Sequence, residues 1–159
     1  MNIIFLGFFI RFFLIIINLY FFPLPGGEYD ALNFHKEALV YKDFISASGL
    51  TGEYDYRLGW LYAYLLGIIY YLFVDSIFLG SLLSTVAWAL SALILRSILI
   101  NLKVRNDNIS IALLFYTFIF PISIIYSALM LREVYMLLFL NLMIFSILKL
   151  NLDLKKLNK

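Results

Sequence analysis

Residues 76–95 read SIFLGSLLSTVAWALSALIL, twenty residues without a charged side chain. At about 1.5 Å per residue, a helix of this length covers roughly 30 Å, the thickness of the hydrocarbon core of a bilayer. The rest of the chain is similar, because hydrophobic residues make up 64% of its 159 residues and charged residues 14%, and its mean hydropathy is +0.97. A water-soluble domain of this size could not bury so much apolar surface. The sequence therefore predicts an integral membrane protein.

Four further apolar stretches flank this one, and none alternates like a strand of a membrane barrel. The five stretches are residues 3–22, 58–74, 76–95, 109–131 and 134–148. The first, third and fourth are long enough to span, and the fifth becomes so if the flanking Arg132 and Lys149 snorkel. The second is short, has two glycines and is rich in Trp and Tyr, which favour the interface. We expect an all-α fold, a multi-pass transmembrane helical bundle that forms a single domain over residues 1–159.

A polar region, residues 23–57, separates the first two apolar stretches. It opens with a helix stop, Pro-Leu-Pro-Gly-Gly at residues 23–27, and residues 28–46 then mix charged and apolar side chains without Gly or Pro. This mixture is typical of an amphipathic helix that lies along the membrane surface. We expect such a surface helix in this first outward loop.

Pro121 lies inside the fourth apolar stretch. Proline has no backbone N–H, so it kinks or breaks a helix and frees a carbonyl group. Broken helices at membrane depth often border a cavity, because irregular backbone is tolerated there only inside protein.

The charges around the stretches indicate an orientation. Loop 23–57 has six acidic and three basic residues, whereas residues 96–108 and 149–159 are mainly basic and are expected on the cytoplasmic side. Arg132-Glu133 then faces outward. The acidic loop also faces outward only if residues 58–95 cross an odd number of times; if they cross twice, the two acidic regions lie on opposite faces. We favour the first alternative, with 58–74 as the irregular element.

Several functional classes are disfavoured. The net charge is only +2 and the basic residues are dispersed, which argues against nucleic acid, and the absence of cysteine excludes disulfides and thiolate metal sites. The sequence has no phosphate-binding glycine loop, serine-hydrolase elbow or zinc-protease helix. A transporter is also disfavoured, because residues 58–95 contain a single ionisable acid or base, Asp75.

Asp30 is the first candidate for chemistry. It shares a helical stripe with Phe34 and Ala38, at spacings of four residues. A carboxylate at this end of a helix serves either as an N-cap or as a catalytic group. Glu28, two residues earlier, permits a Glu-x-Asp pair that binds a divalent metal, Mg or Mn, although two loop acids are more often simply solvated.

Arg132 and Glu133 are the second candidates, because the apolar stretches on both sides of them are long and uncharged. One interpretation is an interfacial hinge between two helices. The other is an outward-facing site in which Arg132 binds a phosphate and Glu133 orients an acceptor, a metal or a base.

Three more residues are candidate substrate contacts. Arg11 lies in mid-helix and must either snorkel to the interface or bind an anion such as a lipid-phosphate headgroup. Snorkelling is the simpler explanation, because it requires no ligand. His35 is the one histidine of the sequence and lies beside the Asp30 stripe. Because metal sites normally need several such groups, a surface position is more typical of it than a role as a metal ligand. Arg57 either contacts a phosphate or anchors the return of the chain to the interface.

Four short motifs occur in an order that resembles the N-terminal half of the GT-C membrane glycosyltransferases, in the protein-mannosyltransferase-like branch. They are Ile10-Arg11-Phe12, then Asp30-x3-Phe34-x3-Ala38, then Tyr54-Asp-Tyr-Arg57-Leu-Gly59-Trp60 followed by Leu72-Phe-Val-Asp75-Ser76, and finally Pro121-x5-Ser127-x4-Arg132-Glu133.

The resemblance implies a function. It implies transfer of a sugar from a polyprenyl-phosphate donor to an acceptor at the outer face of a membrane, for bacterial donors the cytoplasmic membrane. Asp30 matches the family's base or metal-associated carboxylate, Glu133 its second acid and Arg132 the basic neighbour of that acid. Family members usually continue through many more helices. The alternative is therefore a non-catalytic subunit, or half of a split enzyme, that packs against a second membrane subunit.

Overall fold

The structure is a computed structural model that describes residues 2–25, 27–49, 61–119 and 121–157. For Glu28, Pro121, Ile122 and residues 151–157 it describes the backbone alone. Most of the described residues are helical, and no strand occurs among them. The helices are α1 (Asn2–Tyr20), a π-helical turn (Gly27–Ala31), α2 (Leu32–Ser48), α3 (Leu61–Leu72), α4 (Ile77–Asn101), α5 (Asn106–Leu114), a π-helical segment (Phe115–Ile119), α6 (Pro121–Ala128) and α7 (Glu133–Leu157).

Three helices are long and apolar enough to cross a membrane: α1, α4 and the part of α7 from Glu133 to Leu150. Their exposed side chains are mostly large and apolar, as contact with lipid requires. The predicted all-α class is therefore confirmed for the described residues, and the three apolar helices are compatible with the membrane character predicted from the composition.

The fourth apolar stretch is not one helix. The sequence suggests a single element long enough to span over 109–131, whereas the structure divides it into α5, the π-helical segment and α6, followed by a non-helical connection at residues 129–132. The interruption falls where Pro121 supplies no amide hydrogen to the preceding turn. The break expected at this proline is confirmed.

Helix α4 lies at the centre of the packing and contacts α1, α2, α5, α6 and α7. Small side chains let neighbouring helices approach closely, which is the usual way in which helices associate when lipid removes the hydrophobic drive. The face that α4 buries consists mainly of such residues: Gly80, Ser81, Ser84, Thr85, Ala87, Ser91 and Ala92, with Trp88 and Ile98 as the large exceptions.

Helices α2 and α3 pack on one another over most of their length. On α2 the buried positions Ala38, Tyr41 and Ile45 follow a heptad-like spacing. The two backbones meet at Gly67 of α3, where an added Cβ would lie 2.9 Å from the carbonyl oxygen of Ala38. This closeness requires glycine at position 67.

Helix α3 is short compared with the thickness of a membrane. Its twelve residues extend about 18 Å, well short of the roughly 30 Å hydrocarbon core. The two ends of α3 also contact neighbouring residues of α2, since Tyr62 packs on Phe34 and Tyr70 packs on His35. The described part of the second apolar stretch is thus a short but regular α-helix, and the expectation that this stretch is an irregular, non-spanning element stays a prediction.

Candidate functional site

Arg132 and Glu133 lie where the buried connection from α6 ends and α7 begins. Residues 129–131 are almost completely buried, whereas both charged side chains are about half exposed. The carbonyl oxygen of Arg132 accepts hydrogen bonds from the amides of Tyr135 and Met136 and so starts the helix. Arg132 Nε lies 3.6 Å from Glu133 Oε1. An exposed pair of this kind contributes only about 0–1 kcal/mol, so Arg132 can exchange this partner for a ligand at little cost.

An apolar groove of about 470 Å³ runs between α3 and α7 and has Arg132 among its lining residues. This volume lies within the usual range for small-ligand sites. Arg132 is the single charged side chain among the described lining residues, which are Leu61, Tyr62, Leu65, Leu66, Ile68, Ile69, Arg132, Tyr135, Met136 and Phe139. On α7 the lining extends from Arg132, at the helix start, to Phe139, so the cation marks one end of the groove. We call this feature the α3–α7 groove.

Asp30 lies in the π-helical turn before α2, with its side chain exposed. It does not cap the helix. The N-cap position is Ala31, whose dihedral angles are helical and which has no side-chain capping bond. Among the described residues no hydrogen bond or ion pair engages the Asp30 carboxylate, which leaves it free to interact with solvent or a ligand.

The two acidic regions of the sequence meet at one end of the molecule. Phe34, one helical turn after Asp30, packs against the buried Leu129 and Leu131, and its ring lies 6.0 Å from Arg132 Cζ. Asn18 at the end of α1 supports this arrangement, because its Oδ1 accepts a hydrogen bond from the Leu24 amide at 2.8 Å. Asp30 and the Arg132–Glu133 pair therefore lie at the same end, as the favoured alternative requires.

Of the two metal ligands predicted from the sequence, the structure describes the side chain of Asp30. No group of three or more His, Asp or Glu side chains with metal-binding geometry occurs among the described residues, and the Glu28 side chain lies outside the described set. The metal site stays a prediction.

His35 is half-buried and contacts α3. Its Nδ1 lies 2.9 Å from the hydroxyl of Tyr70, which in turn lies 3.2 Å from the Ser76 carbonyl oxygen. Burial lowers the pKa of His35, and the nearby Asp75 opposes this effect. Lys42 donates a hydrogen bond to Asp75 at 2.8 Å and lowers the pKa of that carboxyl group. These contacts join α2 to the α3–α4 connection, so His35 is a packing residue here, and its predicted contact with substrate stays a prediction.

Arg11 is completely buried and does not snorkel along a lipid-facing surface. It donates hydrogen bonds from Nε to Ser127 Oγ at 2.6 Å, from Nη1 to the Gly7 carbonyl oxygen at 3.0 Å and from Nη2 to the Thr117 carbonyl oxygen at 3.2 Å. The guanidinium lies 3.5 Å from the centre of the Trp88 ring. Contact with a lipid headgroup, the other expectation for Arg11, would require it to leave these partners.

One partner of Arg11 is the carbonyl oxygen of Thr117, which lies in the π-helical segment four residues before Pro121. In a regular α-helix the carbonyl oxygen of Thr117 accepts a hydrogen bond from the amide of residue 121, and Pro121 has no such amide. Arg11 Nη2 donates to that oxygen instead. The side chain therefore satisfies a polar group that would be costly to leave unpaired at membrane depth.

Other parts of the site lie outside the sequence-based candidates or outside the described residues. Arg57 lies within residues 50–60, outside the described residues, so its predicted contact stays a prediction. Sequence reasoning missed the contributions of Trp88 and Thr117 to the Arg11 contacts and of Tyr62 and Tyr135 to the groove. The available signal for Trp88 was a tryptophan in the middle of a long, uncharged apolar stretch. The other residues have no local signal, since their partners are distant in sequence.

Comparison with protein-family models, with curated proteins and with solved structures finds no match to this chain. The function is therefore argued from the site itself.

Proposed function

We propose that this chain is a GT-C-like membrane glycosyltransferase module, which transfers a sugar from a polyprenyl-phosphate donor to an acceptor at the outer membrane face. One observation carries the proposal: the α3–α7 groove is apolar along its length and has a half-exposed arginine at one end. An isoprenoid phosphate has the complementary shape, a long apolar chain that ends in an anion.

Arg132 is the proposed phosphate ligand. A guanidinium binds phosphate oxygens through two parallel, charge-assisted hydrogen bonds, and Arg132 lies beside a single carboxylate that it can release. The polyprenyl chain would occupy the groove between α3 and α7, against side chains such as Leu65 and Phe139. In the transfer step Arg132 would stabilise the negative charge that develops on the departing phosphate.

Asp30 is the proposed base and Glu133 the second acid. The acceptor hydroxyl oxygen forms a bond to the anomeric carbon of the sugar, its proton passes to Asp30, and the bond from that carbon to the phosphate oxygen breaks. Support comes from the position of both acids at the end of the molecule where the groove has its cation. Glu133, in the first turn of α7, orients Arg132 or the acceptor.

The proposal includes a topology. The helices α1, α4 and α7 and the broken helix α5–α6 each cross once, which puts the basic α4–α5 connection and the basic tail inside. Helix α2 then lies along the outer surface with α3 against it. The protein is thus a multi-pass protein of, we propose, a bacterial cytoplasmic membrane. The agreement with the charge distribution supports this arrangement.

An alternative is a non-catalytic subunit, or one half of a split enzyme, that packs against a second membrane protein. The observation in its favour is the row of large apolar side chains that α7 leaves exposed, including Met136, Phe139, Leu140 and Met143. Partner helices and lipid chains cover such a face equally well. Co-purification from membranes distinguishes the two functions, because the alternative requires a stable partner.

The experiment is transfer of radiolabelled sugar in membranes that contain the protein or its Asp30→Asn variant. We expect transfer with the parent protein and about a hundredfold less with the variant, since loss of a general base typically costs that much or more. Asp43→Asn, which changes an exposed acid on helix α2, the helix that follows Asp30, is the matched control and should transfer normally. Equal transfer by all three proteins would remove Asp30 from the mechanism.

A further inference from the structure

We infer that Arg11 is a positioning residue, which bridges the break at Pro121 and so fixes the place of Arg132 at the α3–α7 groove. The bridging step stands on the contacts of Arg11 alone. The consequence for Arg132 rests on the proposed function.

The contacts of Arg11 lie on both sides of the break. Thr117, whose carbonyl oxygen accepts from Nη2, lies four residues before Pro121, and Ser127, whose Oγ accepts from Nε, lies six residues after it. The planar guanidinium presents its donors in a fixed fork, so one side chain sets the relative position of the π-helical segment and α6. Two independent single-donor side chains would not impose this geometry.

The surroundings of Arg11 allow little movement. An added Cβ at Gly7 would lie 2.6 Å from the Trp88 ring and 3.3 Å from Arg11 Nη1, so α1 and α4 clamp the guanidinium from two directions. Ser127 is tied further, because Oγ1 of Thr85 donates to its carbonyl oxygen at 2.9 Å and its own Oγ donates to the Ser123 carbonyl oxygen at 2.6 Å. Among the described residues no carboxylate pairs with Arg11. Its charge is held by carbonyl dipoles and by the face of Trp88 instead.

The link from Ser127 to Arg132 is short and rigid. The four residues between them, 128–131, are 0–3% exposed. Met130 packs so closely on α4 that an added Cβ at Gly80 would lie 2.7 Å from its Cγ, and Leu129 and Leu131 pack with Leu24. Close-packed segments transmit displacements instead of absorbing them, so a shift at Ser127 reaches Arg132.

A distance measurement tests the bridging step without reference to activity. The chain has no cysteine, so Tyr126→Cys on α6 and Met136→Cys on α7 provide two unique sites for spin labels on either side of the 128–131 connection. We expect one narrow distance distribution in the parent background, and a broadened or shifted one after Arg11→Met. Arg96→Met, the same chemical change on α4, is the matched control and should leave the distribution narrow.

Two further variants keep the test decisive if Arg11→Met fails to fold. Ser127→Ala removes the hydrogen-bond acceptor beyond the break but leaves the Arg11 guanidinium over the Trp88 ring. This variant should broaden the distance distribution as well. Arg11→Lys keeps the positive charge but lacks the planar set of guanidinium donors. We expect this variant to fold, with a distance distribution that is broader than in the parent background. Unchanged distributions in Ser127→Ala and Arg11→Lys, or equal broadening by Arg96→Met, would overturn the inference.

The consequence for the groove is measured as donor affinity. We expect Arg11→Lys to raise the KM for the polyprenyl-phosphate sugar about tenfold, the loss of one charge-assisted contact, with a smaller change in kcat. If the parent protein transfers no sugar while the distances respond as expected, the proposed function fails and the bridge remains. If the distances respond while KM is unchanged in an active protein, the link from Arg11 to Arg132 is refuted.

Discussion

Arg132 Cζ lies 6.0 Å from the centre of the Phe34 ring. This contact joins the start of α7 to the first turn of α2, which are far apart in sequence. It brings the segment that carries Asp30 to the end of the molecule that carries Glu133. The proposed mechanism depends on this relationship, because a base and a phosphate ligand act on one substrate only if they lie on the same side of the membrane.

Arg132→Gln should weaken binding of a polyprenyl-phosphate sugar about tenfold or more. The glutamine keeps much of the length of the side chain but loses the charge that binds phosphate. Binding of radiolabelled lipid to the purified protein in detergent measures the effect. Arg105→Gln, which removes an exposed arginine paired only with the nearby Asp107, should bind like the parent protein. If both variants bind equally well, Arg132 does not contact phosphate.

Leu65→Trp should also reduce donor binding, because the larger side chain fills the α3–α7 groove that Leu65 lines. The matched control is Leu90→Trp. Leu90 has nearly the same exposure, 48% against 50% for Leu65, but it lies on α4 and does not line the groove. Competition between radiolabelled and unlabelled lipid gives both affinities. A loss of affinity in Leu90→Trp as large as that in Leu65→Trp would count against the groove as the lipid site.

Gly67→Leu should destabilise the protein by about 1–3 kcal/mol, the usual cost of overpacking. Even a Cβ at Gly67 would lie 2.7 Å from the Cβ of Tyr41 and 2.9 Å from the Ala38 carbonyl oxygen, so the backbones of α2 and α3 must separate. Thermal unfolding in detergent measures the change. Leu72→Ala, at an exposed position near the end of the same helix, should change the unfolding free energy by no more than about 0.5 kcal/mol.

The stability of the protein should fall as the pH is lowered below the ordinary pKa of histidine. Burial lowers the pKa of His35 below its ordinary value of 6.5, so between the folded-state pKa and 6.5 the unfolded chain binds more protons than the folded protein. Stability is then complete above 6.5 and declines as the pH falls through this window. The melting temperature between pH 5 and 8 measures it. His35→Gln should remove this part of the pH dependence, and an identical profile for the variant would refute the assignment.

The sequence was most informative about properties that depend on neighbouring residues. Apolar length and composition predicted the membrane character and located α1 and α4, and the missing amide of Pro121 predicted the break in the fourth stretch. The glycines and aromatic residues of the second stretch predicted an irregular element, and its described part is a short, regular α-helix. Each of these signals is local, so it can be read from the sequence without knowledge of the tertiary fold.

The partners of Arg11 and the groove could not be predicted in the same way. Ser127 is 116 residues from Arg11 in sequence and Thr117 is 106 residues away, and no periodic pattern connects them. Hydropathy alone therefore favoured snorkelling, although the folded protein supplies three acceptors and an aromatic face. The groove likewise forms between α3 and α7, and only their packing brings Arg132 to its end.

The central claim is that the α3–α7 groove holds the chain of a polyprenyl-phosphate sugar while Arg132 binds its phosphate. The most direct measurement is photo-crosslinking of such a lipid, with a photoactivatable group in its chain, to the protein in proteoliposomes, followed by identification of the labelled residues. We predict labels on groove residues such as Leu65, Met136 and Phe139, and their loss in Arg132→Gln. Labelling of the exposed face of α1 instead, or groove labelling that persists undiminished in Arg132→Gln, would contradict the claim.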